Sequence, residues 1–420
     1  MEFIRHVRDG GHYDAVVCGA GPGGVGAALS AARQGLKVLL LDHAGCAGGY
    51  WTSGLMSIAL DMPGKGGIPR EIMNQLMAHR KAEWADKESY VYDVESMKHL
   101  LEQMLMQAKV DISLYTRVTD VQVENGKIAS ILADGHDACG YQASFFVDAT
   151  GHGILSALAG CTFEVGYPDS EKRQPASLEA LVSGVPDSWH SDIHNPEKKR
   201  ELRELLKSAG IACTYPSPLL FQNAPDSQCW KLAINQQYGV DIEKPPTITY
   251  ATIAARDEIY RAVEALRTLP GWERFTLITT AEQIGLRDNR RIAGLYRITG
   301  EDCLQGKAFP DGVVPVSYFI DVHELTSAGH MQDGISNRRT LPYQLPMGCL
   351  ISRDVSNLFM AGRCLSGDFF AHASCRMTNT ACATGEAVGL AIASLSNGGD
   401  NAAVDGVRVR ELMCGRGYTL

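Results

Sequence analysis

The segment from residue 13 to residue 54 constrains the fold of this chain more than any other stretch. A short apolar run at residues 15–18 is followed directly by Gly-Ala-Gly-Pro-Gly-Gly at residues 19–24. A helical pattern then covers residues 25–34, and a second strand-like run covers residues 37–41. A strand, a glycine turn, a helix and a second strand in this order are typical of a dinucleotide-binding βαβ unit.

The glycines of this turn have separate predicted roles. Gly19 permits the tight turn, Gly21 lets the backbone approach a pyrophosphate, and Gly24 lets the helix pack closely on the strand. The helix N-terminus is expected to face the phosphates. We therefore expect the turn to contact the cofactor, with Pro22 and Gly23 included.

The acid and the loop that follow the second strand decide which dinucleotide is expected. Asp42 stands 18 residues after Gly24, close to the spacing of about 20 for the acid that holds a ribose hydroxyl. The chain then resembles the FAD-dependent oxidoreductases of the glutathione-reductase-like superfamily, in which a Gly-Gly after this acid approaches the pyrophosphate and the isoalloxazine. FAD is favoured over NAD. The further cofactor contacts expected here are His43, Gly48, Gly49, Thr52 and Ser53.

Length, charge and cysteine spacing limit the other classes of function. A chain of 420 residues is expected to form about two domains. A formal charge of −9 disfavours nucleic acid and anionic membranes as partners. The 12 cysteines form no C-x-x-C pair, so no metal site is expected, and reduced thiols indicate a cytoplasmic protein. The charged N-terminal residues and the lack of a long apolar run predict neither a signal peptide nor a membrane span.

Two later segments resemble the remainder of the superfamily's FAD domain. A hairpin turning at residues 125–126 precedes a buried strand over residues 144–150, which matches the superfamily's Ala-Thr-Gly motif. A strand ending in Gly-Arg at residues 357–363 precedes a long helix over residues 377–394, whose N-terminus is implied to face the flavin N1–C2=O edge. The cofactor contacts implied here are Val118, Ala149, Thr150, Gly151, Gly362, Arg363, Asn379 and Thr380.

The predicted fold is α/β. A Rossmann-like FAD-binding domain with a parallel sheet and a β-meander is expected in two parts, residues 1–160 and residues 347–420. A mixed α+β substrate domain is expected between them, at residues 161–346, with helices near residues 196–208 and 250–267.

Several runs together resemble one family, the FAD-dependent oxidoreductases that stand near thiazole synthases and succinate-dehydrogenase-like flavoproteins. They lie at residues 284–292, 318–323, 342–346 and 361–376, and the resemblance covers essentially the whole chain. Asp42 replaces the commoner Glu, and Asn289 stands where Ser is expected.

A flavin that accepts hydride at N5 needs a base to remove a proton from the donor. His372 is the favoured base, and His323, which follows a strand-like run at residues 318–322, is the second candidate. Arg287 is the favoured group for gripping a carboxylate or phosphate by bidentate hydrogen bonds, among several arginines. Tyr343 is a candidate for orienting a substrate hydroxyl.

The sequence therefore predicts an FAD-dependent oxidoreductase that oxidises a C–OH or C–N bond of a small polar metabolite. No second GxGxxG unit and no Cys-x4-Cys pair is present, so electrons are expected to pass to oxygen, a quinone or another carrier. The alternatives are a monooxygenase that uses NAD(P)H, suggested by residues 367–372, a redox isomerase, and a non-redox binding protein. A homo-oligomer is compatible with the sequence. No attachment motif for covalent flavin is evident at His43 or Cys46.

Overall fold

The computed structural model describes residues 6–168, 170, 172–190, 193, 195–327, 333–395 and 399–420. The strands of this part of the chain are β1 (Val7–Cys18), β2 (Val38–Leu41), β3 (Ile58–Ala59), β4 (Ala82–Trp84), β5 (Tyr90–Tyr92), β6 (Asp111–Ser113), β7 (Arg117–Glu124), β8 (Lys127–Asp134), β9 (Ala138–Asp148), β10 (Phe163–Glu164), β11 (Ala180–Ser183), β12 (Leu219–Gln222), β13 (Trp230–Ala233), β14 (Thr276–Thr280), β15 (Arg291–Ile292), β16 (Gly312–Val316), β17 (Tyr343–Pro346) and β18 (Leu358–Met360). The helices are α1 (Pro22–Ala32), α2 (Gly67–Ala78), α3 (Val94–Gln107), α4 (Ile154–Leu158), α5 (Pro196–Ser208), α6 (Pro245–Leu266), α7 (Gly300–Leu304), α8 (Phe369–Cys375), α9 (Thr378–Ser394) and α10 (Gly406–Gly415).

The largest sheet joins the two ends of the sequence. Its order is β6-β2-β1-β9-β8-β7, and β18 pairs with the C-terminal part of β9. The β1, β2, β6, β9 and β18 pairings are parallel, whereas β7, β8 and β9 form an antiparallel meander. Asn125 and Gly126 both have positive φ in the turn between β7 and β8, as a two-residue hairpin of this kind requires. The predicted α/β class, with a parallel sheet and a meander, is confirmed.

The segment over residues 112–118 is strand-like throughout, but it does not form one strand because the chain reverses inside it. Its first residues belong to β6, which pairs with β2 at one edge of the sheet. Tyr115 then adopts a positive φ of 55°, which is typical of a turn. The rest enters β7, which lies at the opposite edge beside β8. Alternation of apolar residues does not show this turn, because both halves are strand-like.

Helices α1 and α9 pack with their backbones in close approach. A Cβ on Gly385 would overlap the backbone of Gly23 and lie 2.7 Å from Ala27 N. A Cβ on Gly389 would likewise lie 2.7 Å from Ala27 O. Both helices are almost wholly buried along the parallel sheet. This small-residue contact fixes the position of the α9 N-terminus relative to the glycine turn.

The middle of the chain forms a separate antiparallel sheet of order β12-β13-β11-β14. Its apolar face packs against α5 and α6, with Ala180 and Val182 in the same core as Ile259 and Val263. Helix α5 has the predicted bounds, whereas α6 begins five residues earlier than predicted, at Pro245, a residue favoured in the first turn of a helix.

The strand-like run before His323 is not a strand. Ile320 N donates to Arg338 O at 3.0 Å, and no continuous ladder forms in the described residues around it. Ile320 and Val322 instead bury their side chains against Phe369 in a small separate core. Among the described helices, none combines the length and apolarity needed to cross a bilayer.

Candidate functional site

The glycine turn leaves an open space at the start of α1. A Cβ on Gly19 would lie 2.6 Å from Ala149 C, and a Cβ on Gly24 would overlap Gly19 O. These two positions therefore require glycine for packing. A Cβ on Gly21 meets nothing within 4 Å. Gly21 is the N-cap of α1 and makes no side-chain cap, so the free N–H groups of the helix border this space.

Asp42 organises the loops around the turn. Its Oδ2 accepts a hydrogen bond from Ala20 N at 2.5 Å, and its Oδ1 accepts one from Ala44 N at 2.8 Å. His43 Nδ1 lies 3.2 Å from the same carboxylate, and its hydrogen bond to Asp42 raises the pKa of His43. The carboxylate is buried at the predicted place, and contact with a ribose hydroxyl stays a prediction.

The loop after Asp42 folds back onto the glycine turn. Gly48 N donates to Ala20 O at 2.7 Å, and a Cβ on Gly49 would lie 2.8 Å from Gly21 Cα. Thr52 Oγ1 donates to Ala47 O at 2.7 Å, and Ser53 Oγ lies 3.3 Å from the thiol of Cys46. Both hydroxyls are thus used within the loop, which holds the Gly-Gly pair against the turn.

The Ala-Thr-Gly segment closes the other side of the turn. Ala149 N donates to Cys18 O at 2.9 Å, and Thr150 Oγ1 donates to Asp148 Oδ1 at 2.7 Å. Gly151 has a positive φ of 68°, and a Cβ there would lie 2.6 Å from Arg363 Nη2. The side chain of Val118 belongs to a buried core beneath the meander, and its contact with the cofactor stays a prediction.

The α9 N-terminus presents polar atoms that lack protein partners. Asn379 is fully buried, and neither its Oδ1 nor its Nδ2 has a partner among the described residues. The Oγ1 atom of Thr378 is equally unpartnered. Gly362 N donates to Thr384 Oγ1 at 2.8 Å, which places the β18 turn against the same helix. A buried amide with an unused donor and acceptor is what a ring carrying adjacent C=O and N–H groups would satisfy.

A buried ion pair supports this helix end, and sequence reasoning missed it. Asp61 and Lys65 are fully buried and their charged atoms lie 2.8 Å apart. Asp61 also accepts hydrogen bonds from Thr380 Oγ1 at 2.6 Å and from Ser317 Oγ at 2.9 Å. Burial lowers the pKa of Lys65, although Asp61 opposes the shift. An acid and a lysine four residues apart are too common to signal such a pair.

A group of charged and aromatic side chains lies where the middle sheet approaches the loop that follows Asp42; we call this group the cationic chamber. Tyr50, directly after Gly49, donates to Glu179 Oε1 at 3.4 Å. Arg287 Nη1 donates to Pro175 O at 2.6 Å and to Ser177 Oγ at 2.9 Å. The chamber consists of side chains that interact electrostatically with one another: Tyr50, Glu179, Tyr215, Lys231, Arg287, Tyr318, Asp321, His323, Arg363 and Arg376.

Asp321 links a histidine and an arginine within this chamber. Arg376 Nη2 donates to Asp321 Oδ2 at 2.8 Å, and His323 Nε2 lies 3.6 Å from the same oxygen. Burial alone would raise the pKa of Asp321, but His323 and Arg376 lower it well below its usual value. Burial and the charge of Arg287 lower the pKa of His323 to about 4. At neutral pH the imidazole is therefore neutral, and its Nδ1 faces Gln236 Nε2 at 2.8 Å.

The two other predicted catalytic residues are enclosed by protein. His372 lies on α8 with 1% exposure, and its Nε2 is 3.0 Å from Arg363 O. Burial and the charges of Arg291 and Arg376 lower the pKa of His372 well below its usual value. The Tyr343 hydroxyl is buried and donates to Ser374 Oγ at 2.9 Å. The structure therefore places Arg287 and His323 together in the chamber. His372 and Tyr343 lie outside it, with their polar atoms bonded to neighbouring protein groups.

Comparison with known proteins gives a family match across nearly the whole chain. The family model described as FAD dependent oxidoreductase matches residues 14–413. The chain is 28% identical over 174 residues to thiamine thiazole synthase of Thermotoga maritima, covering 37% of this chain and 65% of that protein. It is 26% identical over 283 residues to CMP-5'-(3-aminopropyl)phosphonate hydroxylase of Streptomyces rubellomurinus, covering 60% and 62%. The matched parts thus span less than two thirds of the length of these relatives.

A solved structure shows the same fold at low identity. BexE, studied for oxidation during BE-7585A biosynthesis, superposes with a TM-score of 0.50 at 11% identity, covering 96% of this chain and 67% of that chain. The predicted FAD cofactor agrees with the family match. The residues also fit the group, because a space borders the α1 N-terminus at Gly21 and the buried amide of Asn379 lacks partners.

Proposed function

Because the chain belongs to the FAD dependent oxidoreductase family, we propose that it oxidises a C–OH or C–N bond of a small polar metabolite. The observation that supports this most is the cationic chamber, which offers a neutral histidine beside a carboxylate and guanidinium groups. Bound FAD supplies a two-electron acceptor at its N5 atom. We assign FAD binding to residues 1–160 and 347–420 and substrate binding to residues 161–346.

Two groups without protein partners, the N–H groups at the start of α1 and the amide of Asn379, support the proposed cofactor contacts. The N–H groups at the start of α1 would hold the pyrophosphate over Gly21. Asp42 would add a ribose hydroxyl to the two amides it already binds. Asn379 would pair its amide with the pyrimidine edge of the flavin, where the positive end of α9 favours negative charge. Thr380 would act through Asp61, to which its hydroxyl donates.

We assign the proton acceptor to His323 rather than to His372. His323 is only partly buried, and its Nδ1 contacts a single amide, that of Gln236, which a substrate O–H or N–H could replace. His372 is almost fully enclosed and donates to a backbone carbonyl. Asp321 lies on the opposite side of the His323 ring, so its charge would stabilise the imidazolium that forms. Arg376 keeps this carboxylate ionised.

The test is anaerobic reduction of the purified holoprotein by pools of sugars, hydroxy acids and amines. We expect the flavin band near roughly 450 nm to bleach with one pool and without NADPH. The variant His323→Gln should lose most of this reduction. His136→Gln, which changes an exposed turn between β8 and β9, is the matched control.

Other outcomes distinguish the alternative reactions. Bleaching that requires NADPH would replace the proposal with a monooxygenase; the Streptomyces relative is named as a hydroxylase. A flavin that no pool and no nicotinamide reduces would favour a non-redox protein. Protein that takes up no FAD would contradict the cofactor contacts themselves.

A further inference from the structure

Three partly buried guanidinium groups in the chamber leave most of their donors unused. A guanidinium carries five N–H donors. Among the described residues, Arg287 donates only through Nη1, Arg363 only through Nη1 and Arg376 only through Nη2. Arg363 extends towards Gly151 on the cofactor side. Arg287, from the proposed substrate-binding segment, and Arg376, from the proposed FAD-binding segment, both lie near His323, and each keeps a free edge.

The carboxylates of the chamber do not balance these cations. Glu179 pairs with Lys231 at 3.3 Å, and both side chains are almost fully buried. Asp321 pairs with Arg376 at 2.8 Å. In the described part of the chain, no carboxylate oxygen lies within 4.0 Å of Arg287. Partly desolvated cations are costly unless an anion joins them, so the chamber is complementary to negative charge.

Two buried donors beside His323 also lack acceptors. The Nε atom of Arg376 and the Nε2 atom of Gln174 are both buried and unpartnered among the described residues. Gln174 is 4% exposed, and its Oε1 accepts a hydrogen bond from His323 N at 3.1 Å. Unused donors thus surround the group that we propose as the base. Buried polar atoms without partners are uncommon in folded proteins, so these two donors are available to an acceptor on a bound ligand.

Resting on the proposed function, we propose that the substrate carries a carboxylate that binds between Arg287 and Arg376, next to the carbon that is oxidised. Arg376 and His323 share Asp321 as their partner, so a group held by this guanidinium lies close to the imidazole. A planar carboxylate matches the fork geometry of arginine. The substrate class is therefore a small 2-hydroxy or 2-amino acid.

The reaction on such a substrate balances without a further reactant. The C–H bond at carbon 2 would break with its electron pair, which bound FAD would accept as hydride. The proton of the hydroxyl or amino group passes to His323 Nδ1, and the C–O or C–N bond becomes a double bond. The carboxylate is unchanged and serves to fix the position of carbon 2.

The experiment measures anion binding by the oxidised holoprotein, which needs no turnover. Oxalate, acetate, inorganic phosphate and the neutral acetamide are titrated while the flavin absorbance is recorded. We expect saturable difference spectra with oxalate and acetate, and none with acetamide. Arg287→Met and Arg376→Met should each weaken oxalate binding by about 10- to 100-fold. Arg297→Met, which removes only an exposed pair with Glu164, should leave it unchanged.

Folding and function are separated from binding by two further measurements. Flavin content and thermal midpoint are recorded for each variant, and Arg287→Lys, which keeps the charge but loses the fork, should fall between wild type and Arg287→Met. Equal binding of acetamide and acetate, or unchanged oxalate binding in Arg287→Met, would overturn the inference. Stronger binding of phosphate than of oxalate would also overturn it, in favour of a phosphorylated substrate. If carboxylates bind but no compound reduces the flavin, the proposed function fails, and only the carboxylate site between Arg287 and Arg376 stands.

Discussion

Gly21 and Gly24 stand in one turn, yet a methyl group should act in opposite ways at the two positions. Gly21 has φ −67°, which alanine adopts freely, and the added Cβ meets nothing within 4 Å. Alanine has fewer unfolded conformations than glycine, so we expect the free energy of unfolding of the flavin-free Gly21→Ala protein to rise by about 0.4–1 kcal/mol. At Gly24 the Cβ would overlap Gly19 O and lie 2.9 Å from Gly19 C, which no rotamer change relieves. Gly24→Ala should therefore lose at least about 1–3 kcal/mol.

Gly21→Ala should weaken FAD binding even though it stabilises the flavin-free protein. The methyl group at Gly21 enters the space over the α1 N-terminus that we assign to the pyrophosphate. Loss of one charge-assisted hydrogen bond there costs about 2 kcal/mol, which corresponds to a roughly 30-fold larger dissociation constant for FAD. Urea unfolding of the deflavinated proteins and titration of FAD fluorescence measure the two quantities. Wild-type FAD affinity in a stably folded Gly21→Ala protein would refute the placement of the pyrophosphate.

Three further predictions concern the buried ion pair, the proposed base and the unpartnered amide of Asn379. Lys65→Met leaves Asp61 buried without a cation and should cost about 3–5 kcal/mol in urea unfolding, whereas the double variant with Asp61→Asn should recover most of that loss. Equal stability of the single and double variants would contradict the pairing. Because the pKa of His323 is about 4, the base is neutral above that pH; kcat/KM should rise through about pH 4 and stay flat to pH 7. His323→Gln should lose this ionisation together with about 100-fold or more of kcat, and a profile unchanged by the substitution would remove His323 from the reaction. Asn379→Leu should leave the flavin-free protein at least as stable, because two unpartnered polar atoms are removed, but lower the two-electron potential of bound FAD by about 30 mV, equivalent to about 1.4 kcal/mol. An unchanged potential in a dye-coupled titration would show that Asn379 does not face the flavin.

The predictable parts of the fold are those encoded in short, contiguous segments. The glycine turn, the β7–β8 hairpin at Asn125 and helix α9 depend on local backbone requirements, so their position could be inferred from the sequence. The break at Tyr115 could not, because only the distant partners of β6 and β7 make the chain turn there. The apolar run before His323 has strand character but finds a core instead of a neighbouring strand.

The chamber was only partly predictable for a related reason. Arg287 and His323 were selected as candidates by residue type, and both lie in it. Arg376, Glu179 and Tyr50 join them from segments far apart in the sequence, and no spacing rule connects such segments. Burial also separates the two histidines, since His372 and His323 carry the same chemistry and differ in their surroundings.

The close packing of α1 on α9 has a consequence for how the protein is made. The glycine turn leaves the ribosome early, but Gly385 and Gly389, which seat the two helices together, follow more than 350 residues later. Until α9 emerges, the nascent βαβ unit lacks the helix that packs against α1. By that time the middle sheet, α5 and α6 have already been synthesised. Flavin capture should therefore be a late event in biosynthesis, and a ribosome-stalled chain that stops before α9 should carry a folded middle region and no yellow colour.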